Sequence, residues 1–464
     1  MDKTLTNVAG TFLIQADASF LNGAGLGEGE DRNVTIPKTF QDGKDKVPYV
    51  SSQAWKRWLR NTCLEENPNW PKSELKAIHV NEKGNTDKIA GALNPIDFPE
   101  DDIFGYMKTA KNQGRESAES DEEEKSDEEK ERERQAKCFK DIKSDITAIQ
   151  KGEKGKGKNK KVLSDEDKVK LAKDMIKKIK DEFNARIAAD EESFDDNFQQ
   201  EVNSLQIVNK LDEINKDWFS KINDILKEFD PGRIKALMRS SPFAASLLVS
   251  IRKSGWKGRD EGFVHLKEGT PQPYTTEFYN AHLQGVFSLC YARLGVFSNL
   301  GDRIELDEGK VDEFIKGNNL RVVDDKGNLG KVYETVPNSR KDRASTLLNA
   351  LSVLRGGAKQ AQFGTDVSPK VLILAGLNCG NPIFNHIFND AKEGPEIKID
   401  TLKEIIKDYA NRLVTPVYLG IRKGYLNSKN ETDVLTLNNT EIEAVKIIVT
   451  TPIEAAQKMA GELK

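Results

Sequence analysis

From Lys111 to Asp167 the chain holds a single aromatic residue, Phe139. That residue lies between an acidic run (Asp121-Glu-Glu-Glu124, Asp127-Glu-Glu129) and a basic, glycine-rich one (Lys151-Gly-Glu-Lys-Gly-Lys-Gly-Lys158). A segment so poor in apolar area cannot offset the entropy of ordering its backbone, so it is expected to be a disordered charged loop over about 111–166. Any core must then be assembled from the chain on either side. A solvated linker is the plain reading of the loop; its Lys-rich end also suits a non-specific nucleic-acid tether.

The flanks of this loop read as helices. Met175, Ile176, Ile179, Phe183 and Ile187 recur at helical spacing, as do Leu211, Ile214, Trp218, Ile222, Ile225 and Phe229 before the stop at Asp230-Pro231-Gly232. Together with the loop they define an expected helical insertion over 67–240. Residues 1–66 and 241–464 remain for one further domain, and 464 residues suit two or three units of ordinary size.

Outside the insertion the elements have a definite order. Thr4–Phe20 is strand-like, and Ser51–Glu66 reads as a helix. Strands follow near Phe243–Arg252 and His282–Tyr291, the latter alternating Leu283, Phe287, Leu289 and Tyr291. A helix over Lys341–Arg355 buries Ala344, Leu347, Leu348, Leu351 and Leu354 and stops at Gly356-Gly357; a strand over Lys370–Leu377 comes next. The order βα–ββαβ predicts an α+β chain with a ferredoxin-like (RRM-like) sheet. Val322-Val323-Asp-Asp-Lys-Gly-Asn328 predicts a hairpin, and with it a projecting arm over about 299–337.

Several function classes lose their footing. The longest apolar run, Val371–Leu377, is far short of a membrane span, and Met1–Phe20 has no signal-peptide pattern. Cys63, Cys138, Cys290 and Cys379 form no CxxC, so neither a disulfide framework nor a local zinc site is indicated, which suits a reduced cytoplasmic protein. The glycines at 23, 25, 27 and 29 fail the GxGxxG frame, and Glu28, Glu30 and Asp31 would repel phosphate. His79, His265, His282 and His386 show no metal-ligating spacing. The net charge of −4 is no obstacle to binding nucleic acid. Glu116–Arg134 alone carries eleven acidic and four basic residues, a net of −7, so the remainder stands at +3.

The most informative stretch is Tyr49-Val-Ser-Ser-Gln-Ala-Trp-Lys-Arg-Trp-Leu-Arg60. At about 100° per residue, Gln53, Lys56, Arg57 and Arg60 share one face and Trp55, Trp58, Leu59 and Thr62 the other. Ser51 and Ser52 stand at the N-terminus, where exposed N–H groups favour an anion. A charged solvated face is the ordinary alternative, but Glu65 and Glu66 are the only acids and sit at the far end. A second cationic element comprises Arg340, Lys341, Arg343, Arg355 and Lys359, and runs into Gly356-Gly-Ala-Lys-Gln-Ala361. A basic helix C-cap would account for its glycines alone.

The combination of Ala18-x-x-Leu-Asn-Gly-Ala-Gly25, the helix from Val50 to Arg60, and Arg343…Gly356-Gly-Ala-Lys-Gln-Ala361…Asp366-Val-Ser-Pro369 resembles the DevR-type backbone subunit of type I-B CRISPR–Cas Cascade complexes, in the RAMP superfamily. The resemblance covers the first 66 residues and most of 240–390. It implies an RRM-like palm with helical fingers and a thumb β-hairpin. Such a chain is no enzyme and has no metal or cofactor. It polymerises with neighbouring copies along a crRNA beside a large subunit, a repeat-handle-binding subunit and a small subunit, and meets target DNA through the guide. It further implies RNA contacts by Ser51, Ser52, Gln53, Lys56, Arg57 and Arg60, and by Gly356, Gly357, Lys359 and Gln360, with Arg32 and Lys38 in the loop after the first strand. Two competing readings stay open. One is a metal-dependent ribonuclease backbone subunit that cleaves complementary RNA, with Asp31 as its carboxylate. The other is a repeat-processing endonuclease, for which Pro452–Lys464 offers only Gly461 in place of a glycine-rich loop.

Overall fold

The structure, a computed structural model, describes residues 4–27, 33–73, 76–80, 86–108, 127–154, 161–188, 196–205, 208–229, 236–252, 257–264, 268–269, 272–301 and 303–464. The chain is α+β, with several sheets and many helices, and forms two compact units: Met1–Thr109 with Ala236–Lys464, and Ala110–Lys235.

The first unit is organised by a strand buried on both faces. In β1 (Asn7–Ser19), Val8, Phe12, Ile14 and Ala16 enter one core, and Ala9 and Leu13 enter another. A period of two with apolar residues on both sides demands covering layers above and below. β1 pairs antiparallel with β2 (Gln272–Leu289) on one side, from Val8↔Leu289 to Ala16↔Ala281, and with β3 (Val371–Leu377) on the other. The far side of β2 carries Phe243–Ala245 and Leu248–Ser250, both antiparallel. Beyond β3 the sheet continues with β4 (Val417–Ile421), antiparallel, and β5 (Val445–Thr450), parallel to β4.

Helices cover one face. Trp55, Leu59 and Cys63 of α1 (Ser52–Glu66), Ala344, Leu347, Leu348 and Leu351 of α2 (Arg340–Ser352), and Ala455, Ala456 and Met459 of α3 (Pro452–Gly461) pack with Phe12, Phe243, Phe287 and Leu374. The fully buried Trp55 ring stands edge-on to Phe12 at 5.4 Å and to Phe243 at 5.6 Å, and its Nε1 donates to the Ser246 carbonyl at 2.7 Å. Truncating such a residue to Ala costs about 3–5 kcal/mol. On the other face Ile383, Phe384, Ile387, Leu402 and Ile406 cover Ala9, Leu13 and Ile373.

Two regions depart from the sequence expectation. The outer half of β2 runs on beyond the sheet core, paired antiparallel with Lys257–Val264 to form an arm that the polar sequence of its partner strand did not announce. The segment 299–337 is more than a projecting arm. Its hairpin, Leu320–Asp325 with Gly330–Thr335, belongs to a six-stranded sheet with Val296–Leu300, Arg303–Ile304, Ala236–Arg239 and Tyr106–Lys108. A core of Phe297, Leu306, Val311, Leu320 and Tyr333 lies beneath it.

The second unit is helical, and its limits differ from the expected 67–240, because residues 67–109 belong to the first unit. The charged loop expected over 111–166 is corrected as well. Asp127–Lys151 is a helix whose Phe139, Ile142, Ile146 and Ile149 pack with Met175, Ile176, Ile179, Phe183 and Ile222. Those four residues recur at spacings of three, four and three. Averaged with the acidic and Lys-Gly runs around them, the stripe disappears into the composition. Residues 111–126 and 155–160 lie outside the described residues.

Candidate nucleic-acid interface

Where β1 leaves the sheet, the chain turns at Ala18 (φ 43°) and buries Phe20 and Leu21. Asn22 then fastens two other segments. Its Oδ1 accepts from the Ser51 N–H at 3.0 Å, and its carbonyl from the Lys38 N–H at 2.8 Å. Ser51 caps α1, its Oγ accepting from Ala54 N. The hydroxyl is thereby used locally, while the N–H groups of Ser52 and Gln53 face out of the first turn, as helix geometry requires. Gln53 is exposed and Ser52 half-buried.

The glycine-rich loop meets the same place. Leu21 O accepts from Ala358 N at 3.0 Å, and a Cβ on Gly356 would fall 2.3 Å from Trp58 Cγ, so the loop reaches α1 only because that residue is glycine. Gly357 (φ 109°) follows in the left-handed region. Lys359 Nζ donates to Thr276 Oγ1 and lies 5.4 Å from the Phe20 ring centre and 5.8 Å from that of Tyr274. Gln360 is turned inward: its Nε2 donates to the Gly356 and Thr365 carbonyls and braces the loop.

The cationic face of α1 is smaller than its sequence suggests. Arg57 is exposed. Lys56 is half-buried with Nζ 5.9 Å from the Phe243 ring centre, and burial holds its pKa below the usual lysine value. Arg60 is committed to the protein itself: Nε donates to Glu100 Oε2 at 2.5 Å and Nη2 to Asp101 Oδ1 at 3.3 Å. Burial works against its charge, but the hydrogen bond and charge of Glu100, with that of Asp101, outweigh it and raise its pKa. Burial pushes Asp101 up, opposed by the Asn94 N–H and by Arg60.

The second cationic element is largely structural. Arg355 pairs with Glu65 at 3.1 Å and Glu66 at 2.6 Å, and Arg340 with Glu334 at 3.2 Å. Arg343, 2% exposed, donates to the fully buried Asp102, which also accepts from Arg239 and, at 2.8 Å, from Gly295 N. Arg239 reaches on to Glu305 at 3.2 Å. These acids escaped the sequence reading, although Pro99-Glu100-Asp101-Asp102 opens a short helix, Pro99–Phe104, with the Pro-then-acid signature of a first turn. Lys341 is exposed. Lys38 is half-buried and bonded through its backbone to Asn22 and Tyr49. Arg32 and Asp31 lie outside the described residues.

Leu21 and Asn22 thus tie together the start of α1, which carries Ser52, Gln53, Lys56 and Arg57, the segment of Lys38 and the glycine-rich loop of Lys359, while Arg60 and Gln360 serve structural contacts. The chemistry there is that of amide and hydroxyl donors with a few cations, suited to phosphate and ribose oxygens. No helix among the described residues is long and apolar enough to cross a membrane.

No family model matches the sequence, and no curated protein matches it. Among solved structures, the chain is similar to a chain of a "CRISPR RNA-guided surveillance complex, pre-nicking", at 13% identity and a TM-score of 0.40 over 99% of this chain and 100% of the other. It is also similar to a chain of a "CRISPR RNA-guided surveillance complex", at 10% identity and a TM-score of 0.38 over 98% and 99%.

Proposed function

We propose that this chain is a non-catalytic guide-binding backbone subunit of a type I CRISPR Cascade, of the DevR kind. One observation carries the reading. The three stretches behind the sequence resemblance meet at one place, through Asn22 with Ser51 and Leu21 with Ala358. The strand order supports it too. β3, β1, β2 and the Phe243–Ser250 strands follow one another antiparallel, with α1 and α2 on one face, as an RRM-like palm requires. In this reading the helical unit supplies the fingers and the hairpin Leu320–Thr335 the thumb.

A guide of arbitrary sequence must be held by its backbone, with its bases left free to pair. Donors from Ser52, Gln53, Lys56, Arg57 and Lys359 suit that task, because none of them needs to distinguish one base from another. The partners of this role are the crRNA, further copies of the chain, the other Cascade subunits and, through the guide, target DNA. The chain purified with its endogenous nucleic acid is expected as a large particle carrying one short RNA of uniform length. A nucleic-acid-free monomer would overturn the proposal.

A further inference from the structure

The exit of β1, the helix α1 and the glycine-rich loop hold one another pairwise. The loop is tied to the latter half of α1. There the fully buried Thr62 hydroxyl donates to the Trp58 carbonyl at 2.9 Å and accepts from the Arg355 N–H at 3.1 Å, and Gly356 sits directly against Trp58. The loop is tied to the exit of β1 by the bond from Ala358 N to the Leu21 carbonyl. The exit of β1 is tied to the start of α1 by the bond from Ser51 N to Asn22 Oδ1.

The three ties are unlike. Two run through backbone groups or a buried side chain, so the core maintains them. The third runs through the amide of Asn22, which is half-buried. It ends on Ser51, whose other polar groups already serve the helix. The Ser51 carbonyl accepts from Ala54 N at 3.0 Å and Trp55 N at 3.3 Å, and its Oγ accepts from Ala54 N. Whatever holds Ser51 N therefore holds the first turn, with the outward N–H groups of Ser52 and Gln53. Helix ends fray when left free. Donors fixed in advance bind a ligand more tightly than the same donors free to move, because less ordering remains to be done on binding.

We propose that Asn22 is a positioning residue for RNA binding: acting through Ser51, it aligns the first turn of α1 with the glycine-rich loop. The proposal rests on the guide-binding reading above and adds to it a residue that works without a ligand contact of its own. Its substitution should loosen the alignment and leave the core intact, because Thr62, Trp58 and the Leu21 carbonyl still join the loop to α1 and to the exit of β1.

The test uses the full chain, freed of co-purified nucleic acid by high salt, and single-stranded RNA of two unrelated sequences. Asn22→Ala should bind both about 2- to 10-fold more weakly, the net worth of one hydrogen bond. Asn22→Asp keeps the acceptor for Ser51 N but adds a charge, and salt screens a charge without restoring a lost hydrogen bond. Its deficit against the unaltered chain should therefore fade as salt rises, while that of Asn22→Ala persists. A double-mutant cycle gives a readout that general loosening would not move: in a Gln53→Ala background, Asn22→Ala should cost less than in the unaltered chain. Full affinity in Asn22→Ala, strictly additive losses, or a deficit of Asn22→Asp that salt does not relieve would each overturn the positioning role and leave the guide-binding reading standing. Failure of the unaltered chain to bind RNA would overturn both. Should Asn22→Ala not fold, the salt dependence of Asn22→Asp decides the matter alone.

Discussion

Arg60 Nε donates to Glu100 Oε2 at 2.5 Å, joining α1 to the short helix that begins at Pro99. Glu100 is 1% exposed and also accepts from the Ser73 N–H, so its charge is held in the interior by two donors. The neighbouring Asp101 takes the second arm of the guanidinium and the Asn94 N–H. Arg60 therefore ties α1 to this short helix, and Lys56 and Arg57 are the cations of α1 outside that pairing.

Replacing Arg60 by Ala should accordingly change stability more than RNA binding. A buried carboxylate left without its partner costs about 3–5 kcal/mol, and the partial exposure of Arg60 places the expected loss near the lower bound. Urea unfolding would show it as a lower midpoint. A normal midpoint with a reduced salt slope of RNA binding would return Arg60 to the interface.

Asp102 carries a heavier duty, because two guanidinium groups, those of Arg239 and Arg343, share it in full burial. Asp102→Ala strands both cations, and the expected loss exceeds that of Arg60→Ala. Either no folded chain or an unfolding free energy lowered by about 3 kcal/mol or more should result. Near-normal stability would mean that water or other carboxylates replace Asp102 easily.

These ion pairs also explain what could be read in advance. The helix Ser52–Glu66, the strands around β1 and the hairpin at Leu320–Thr335 follow from local periodicity and turn residues, which are sequence-near signals. The pairing of Arg60 with residues forty positions later, or of Arg343 with Asp102, is not. A helical wheel counts charges on one element and is blind to a carboxylate brought by another.

In the helical unit, Ile142 tests the corrected assignment directly. It is fully buried in a core with Met175 and Phe183. Ile142→Ala should cost about 2–5 kcal/mol in the unfolding of this unit, followed on the full chain. Were the segment a solvated linker, the substitution would leave the transition where it was.

His282 gives a pH signature. Burial, with Arg252 nearby, holds its pKa below 6.5, against the smaller opposing pull of Asp390 and Asp17. Its Nδ1 lies 2.9 Å from the Tyr425 hydroxyl. The unfolded chain therefore takes up the proton first as pH falls. The stability His282 contributes is complete above about pH 6.5 and is lost below it, through the folded-state pKa. Melting temperatures measured between pH 8 and pH 5 should fall less steeply for His282→Gln than for the unaltered chain. Parallel curves would exclude His282 as a source of acid sensitivity.

The interface itself is best tested by salt. Arg57 and Lys359 are the two cations of the site that best suit phosphate, one exposed on α1 and the other in the glycine-rich loop. Each phosphate contact to a single strand contributes about 0.7 to the slope of log K against log salt, so Arg57→Ala with Lys359→Ala should lower it by roughly 1.4. The loss should be the same for guides of unrelated sequence, because phosphates are common to all of them. Filter binding at four or five salt concentrations with two unrelated RNAs would measure both quantities. A loss confined to one sequence would mean that these side chains read bases, whereas an unchanged slope would remove both residues from the RNA path.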